Sequence, residues 1–162
     1  LNFIMWRIQH WDLPTDENIK RLGISIESGC HYFENRREED IEHIFFDGEW
    51  ARQVWAFFES CTGYSSSATS IGEFLEGWFQ GVTEAGNESL VRACIFSTGC
   101  WALWNGRNRV RYEGVRTTSC RIIFSTRYSL LDLYGLEGFW SATQSLRGLY
   151  TLQASVQQVG SQ

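Results

Sequence analysis

The chain has 162 residues, enough for one domain with a real core, and its eight Trp, six Tyr and eleven Phe supply bulky apolar surface to fill it. A net charge of −5 repels a polyanion at long range, and five cysteines without a repeating spacing (Cys30, Cys61, Cys94, Cys100, Cys120) argue against a disulfide framework and for a reducing compartment. No leader-like opening and no membrane-length apolar run is present, so a protein without membrane contact is expected, intracellular and either nuclear or cytoplasmic, with Leu1 suggesting a cut from a longer product.

Taken in order, the chain reads as helices, and the expected fold is all-α. Residues 3–10 carry Phe3, Ile4, Trp6 and Ile8, a short apolar segment that needs neighbours, and Pro14 stops it. Thr15 predicts the cap of a second helix running to about Leu22, with Asp16 and Glu17 in its first turn and Gly23 at its end. From a cap at Asp47, the residues Trp50, Val54, Phe57, Phe58 and Cys61 recur at helical spacing and predict a core face. Thr62 to Thr69 reads as a loop, and Ser70 with Glu73 has the spacing of a capping box for a helix through Phe79, before Gly81.

The longest helix is predicted from Asn87 to about Tyr112, with Gly114 as its stop. It is apolar nearly all round as far as Trp104 and then polar and basic. Ser119 predicts a last helix through Tyr134, broken by Gly135 and Gly138, with a frayed end beyond. The resulting picture is a small helical domain with a short irregular loop near its N-terminus and a long central helix.

That irregular loop lies in the stretch Cys30 to Trp55. With its flanks it presents Trp6-Arg7, Leu13-Pro14-Thr15, Leu22-Gly23-Ile24, Cys30, Glu39 to His43, and Trp50-Ala51-Arg52 to Trp55 in order. In these elements it resembles the zinc-binding domain that follows the polymerase in plant non-LTR (LINE-type) reverse transcriptases. Trp101, Trp104, Arg107, Asn108, Tyr112 and Gly114 resemble a segment that commonly follows this domain. The resemblance thus covers residues 1–114, leaving 115–162 as a C-terminal helical extension.

The family holds zinc with four ligands, and two are missing here. Phe33 stands where the second Cys of a pair belongs, and Gly48 where the last Cys belongs. Cys30 and His43 remain, with Asp47 and His31 as substitutes. A tetrahedral site needs four donors, so the expectation is a fold without cofactor in which Phe33 packs where metal once held the loop, zinc being the lesser alternative.

The resemblance implies an accessory region between catalytic domains that carries neither activity. After Glu113 the only acids are Asp132 and Glu137, too few for a two-metal ribonuclease H site. No nucleophile, base and carboxylate constellation or phosphate-cradling glycine loop is legible, so an enzyme is not expected.

Charge is segregated along the chain. Arg92 to Arg127 contains seven arginines against Glu113 alone, whereas Glu34 to Glu59 carries eight acids against Arg36, Arg37 and Arg52. Arg107 and Arg111 share a helix face, and with Asn108 and Arg116 they form the expected contact to RNA or DNA phosphates. The competing expectation is a solvated helix end with some of these cations pairing with the acidic strip inside the fold. A second functional reading is a metal-free helical module that binds a protein partner through Trp50, Trp78, Phe79, Phe139 and Trp140, unless these residues simply fill the core.

Overall fold

In a computed structural model that describes residues 2–26, 39–82 and 87–134, every regular element is helical. α1 (Asn2–Gln9) and α2 (Asp16–Arg21) precede a π-helical turn at His43–Asp47. α3 (Glu49–Thr62), α4 (Ile71–Phe79), α5 (Asn87–Glu113) and α6 (Ser119–Tyr134) follow. The all-α fold with a long central helix is therefore the one the sequence predicts. The loop carrying Cys30, His31 and Phe33, and the tail carrying Phe139 and Trp140, lie outside the described residues.

Local chemistry explains most boundaries. Thr15 is fully buried and its hydroxyl accepts from the Asn18 amide at 3.3 Å, which caps α2. The Asn18 side chain donates back to the Leu13 carbonyl at 2.8 Å, tying the Pro14 turn to the helix it opens. Ser70 caps α4 by accepting from the Glu73 amide, whereas the Glu73 carboxylate accepts mainly from Thr69, at 2.8 Å from its amide. The reciprocal half of the capping box is thus displaced by one residue. α5 ends where Gly114 takes φ +65°.

Two caps differ from expectation. Asp47 does not open α3, because it belongs to the π turn; Gly48, with extended backbone, is the N-cap and lends no side-chain bond. At α6 the Thr118 hydroxyl accepts from the Arg121 amide at 3.3 Å, while the Ser119 hydroxyl is hydrogen-bonded to the Gln53 side chain of α3.

The core is built on α5, which packs against α1, α3, α4, α6 and the π turn. Trp55 of α3 stands at its centre. Its ring stacks on Phe96 at 4.8 Å between centroids and meets Trp78 at 5.5 Å and Phe74 edge-on at 5.7 Å, while its Nε1 donates to the Phe45 carbonyl at 2.7 Å. Gly99 makes this approach feasible, since a Cβ there would come within 2.7 Å of the Trp55 ring. Ala51, Val54, Trp55 and Phe58 form the fully buried line of α3, with Trp50, Phe57 and Cys61 packed at its margins. α6 adds Ile122, Ile123 and Leu130 to the same core.

Candidate functional site

The residues expected to hold metal begin with His43 and Asp47. The π turn brings His43 Nδ1 and Asp47 Oδ1 to 3.6 Å, and the His43 amide donates to Asp40 Oδ1 at 2.6 Å. Gly48 closes the turn, and a Cβ there would stand 2.0 Å from the His43 carbonyl oxygen and 3.5 Å from Nδ1. A thiolate side chain at this position would therefore lie beside the imidazole, but only if the turn changed shape. Among the described residues no group of three or more His, Cys, Asp or Glu is placed so that it could hold a metal ion. His43 and Asp47 are two donors where a structural zinc needs four, so the described residues alone do not form a tetrahedral site.

The basic end of α5 turns inward. Arg107 is 1% exposed, and its Nε lies 3.0 Å from both carboxylate oxygens of Glu39. Its Nη2 also contacts Glu39 and lies 3.8 Å from Asp16 Oδ1. Arg111, one turn on, pairs with Asp16 and reaches Glu39 Oε1 at 3.5 Å. The Arg107 guanidinium lies over the Trp104 ring at 4.9 Å and the Tyr112 ring at 5.6 Å. Burial works against its charge, but the hydrogen bond and charge of Glu39, with help from the Tyr112 hydroxyl, outweigh it and raise the Arg107 pKa.

Two arginines and two carboxylates therefore form a buried, mutually neutralising clamp. The Asn108 side-chain oxygen accepts from Arg107 Nη1 at 2.9 Å, so it too serves the clamp. Of the four residues expected to contact phosphate, Arg107 faces carboxylates instead of solvent, Arg111 pairs with Asp16, Asn108 is half-buried, and Arg116 is exposed in the loop between α5 and α6. The acids Asp16 and Glu39 were not singled out for this role by the sequence. The available signal was Arg107 and Arg111 sharing one face, together with the acidic excess upstream.

Among the aromatics expected to meet a partner, Trp78 is fully buried, stacked near Phe96 and edge-on to Tyr64, so it is core. Trp50 and Phe79 are half-buried against that core. The exposed aromatics are others, among them Trp101 on α5 and Phe124 and Tyr128 on α6.

Residues 1–55 match the family model described as zinc-binding in reverse transcriptase. Over this stretch the chain is similar to the reverse-transcriptase zinc-binding domain. No curated protein and no solved structure matches the chain. The family segment runs from α1 to Trp55 and contains both acids of the clamp, Asp16 and Glu39, while both arginines come from beyond it on α5. The clamp thus fastens the matched segment to the central helix.

Proposed function

We propose that the chain is a non-catalytic accessory module derived from a reverse transcriptase of the plant LINE type, which holds nucleic acid and acts in a reducing intracellular setting, nuclear or cytoplasmic. The observation that carries this reading is the match of residues 1–55 to the reverse-transcriptase zinc-binding family. Free thiols at Cys61, Cys94, Cys100 and Cys120 accord with the reducing setting. The clamp accords with a module whose family segment is seated on its central helix by charge pairing.

Fluorescence anisotropy of labelled single-stranded RNA and duplex DNA, titrated at several salt concentrations, tests the reading. Binding near about 10⁻⁶ to 10⁻⁴ M that weakens steeply with salt is expected for a sequence-independent phosphate contact. Absence of binding even at low salt would overturn it. The reading would then pass to a protein-interaction module, for which Phe124, Tyr128 and Leu131 offer exposed apolar groups along α6.

A further inference from the structure

Once Arg107 and Arg111 are accounted for by the clamp, the cations that remain on the surface of this end of the molecule gather elsewhere. A cleft of about 70 Å³ opens between α5 and α6, lined by Asn105, Arg109, Thr117, Arg121 and Ser125 over a floor that includes Gly106 and Ile122. Arg109 and Arg121 are both exposed, and Arg116, also exposed, immediately precedes Thr117 at the cleft wall. The floor is tight because Gly106 has no side chain: a Cβ there would stand 3.3 Å from Ile122 Cδ1.

We propose that this cleft seats a phosphodiester group of a nucleic-acid backbone, with Arg109 and Arg121 as its cationic walls and Arg116 contacting the adjacent phosphate. The assignment rests on the nucleic-acid reading above and locates it on a different face from the clamp. Guanidinium groups match phosphate oxygens in fork geometry, and Asn105, Thr117 and Ser125 supply neutral hydrogen-bonding groups between them. A space of about 70 Å³ holds a few water-sized groups. It has room for a phosphate group. No aromatic side chain lines it, so there is no stacking platform, and the contact reads backbone rather than sequence. The nearest charge of opposite sign described on α5 is Glu113, which pairs with Arg109 at 3.6 Å on the exposed surface. A phosphate would compete with that weak pair.

The test is anisotropy of labelled single-stranded RNA and duplex DNA with the full chain and with Arg109→Gln/Arg116→Gln/Arg121→Gln, against Lys20→Gln/Arg21→Gln on α2 as a control for lost surface charge. The triple variant is expected to bind about ten-fold or more weakly, with a log–log salt slope shallower by about 2, since each phosphate contact accounts for about 0.7–0.9. The control is expected to stay within about two-fold of the parent at moderate salt, where distant charges are screened. A second variant, Ser125→Glu, places a carboxylate in the cleft without touching an arginine and is expected to weaken binding as well, whereas Glu113→Gln tightens it. Far-ultraviolet circular dichroism confirms that each variant keeps its helices.

RNA and DNA of different sequence are expected to bind within a few-fold of one another at this seat. Parent-like affinity in both cleft variants, equal losses in the control, or strong sequence discrimination would overturn the cleft assignment while leaving the nucleic-acid reading standing. If the parent chain binds neither polymer at low salt, both fall together.

Discussion

Arg107 of α5 meets Glu39, 68 residues earlier, with one guanidinium nitrogen 3.0 Å from each carboxylate oxygen, and both residues are almost fully buried. Two ions withdrawn from water in this way are costly unless each is paired and hydrogen-bonded, and here Arg107 also gains Asn108, Pro14 and Asp16 as partners. The geometry fastens the segment that resembles a zinc-binding domain to the central helix through charge. It also accounts for the clustering of Asp16 and Glu39: the Glu17 amide donates to the Glu39 carbonyl at 3.3 Å, which brings the start of α2 and the segment before the π turn side by side.

The close approach of Trp55 to α5 makes Gly99→Ala a discriminating substitution. Helix propensity alone favours Ala by about 1 kcal/mol. A Cβ at 2.7 and 2.8 Å from the rigid, enclosed Trp55 ring opposes it with an overpacking cost of about 1–3 kcal/mol or more. Net destabilisation is expected in urea unfolding. Gly106→Ala, where Ile122 Cγ1 and Cδ1 and a Thr117 methyl all stand at 3.3 Å, is expected to cost less than Gly99→Ala.

Supplying cysteines at the two positions where the resemblance implies zinc ligands tests the placement of His43. In Phe33→Cys/Gly48→Cys, the added Cβ at residue 48 collides with the His43 carbonyl, so the variant without metal is expected to melt lower than the parent by several degrees, at about 2–4 °C per kcal/mol for a chain of this size. The same Cβ stands 3.5 Å from His43 Nδ1, close enough for a thiolate to share an ion with the imidazole. Zinc is therefore expected to raise the melting temperature of the double variant. Identical melting with zinc and with chelator would show that residue 48 and His43 do not share a site.

Thiol chemistry should separate the cysteines. Burial alone pushes the Cys100 thiol well up from its usual value, and burial raises Cys61 more modestly against a hydrogen bond from Ser60 and the charge of Arg127. The reactive form is the thiolate, so both react slowly at neutral pH. Cys100 is expected to resist a disulfide reagent until the chain unfolds; rapid labelling of the native protein at this residue would contradict its place in the core.

The α4 cap carries a pH signature. Hydrogen bonds from the Thr69 amide and hydroxyl lower the Glu73 pKa from its ordinary 4.5. A depressed carboxylate contributes stability above the unfolded pKa and loses it as pH falls through the folded value. The gap in melting temperature between parent and Glu73→Gln is therefore expected at neutral pH and should close below about pH 4.5. A gap that widens on acidification would reverse the sign.

The parts of the fold legible in the sequence are those with local causes. Thr15 and Ser70 cap helices through bonds to residues three positions on, and Gly23, Gly81 and Gly114 stop them with positive φ, so spacing alone reveals them. The π turn was not legible, because Ile41, Ile44, Phe45 and Phe46 form an apolar run without a clear period and its shape depends on packing against α3 and α5. Pairing of these arginines with the acidic strip was one of the two expectations, and Arg107 fulfils it, but which arginine is buried and which acid it meets were not legible. A charged residue near the polar end of a helix ordinarily meets water, and its partner lies 68 residues away on an element with no periodicity of its own. Trp78 likewise carries no mark distinguishing a core indole from a surface one; only the convergence of Trp55, Tyr64, Phe74 and Phe96 around it decides the matter.

A double-mutant cycle on Glu39→Gln and Arg107→Gln, read by urea unfolding in the presence of chelator, tests the clamp most directly. Each single change leaves a buried charge without its main partner, with only the longer charged contact to Asp16 at 3.8 Å or to Arg111 at 3.5 Å remaining, and is expected to cost about 3–5 kcal/mol. The double change removes both charges together and should cost clearly less than the sum, giving a coupling of about 1–3 kcal/mol. Additive losses, or two near-silent single variants, would show that Arg107 and Glu39 do not hold the N-terminal segment to the central helix.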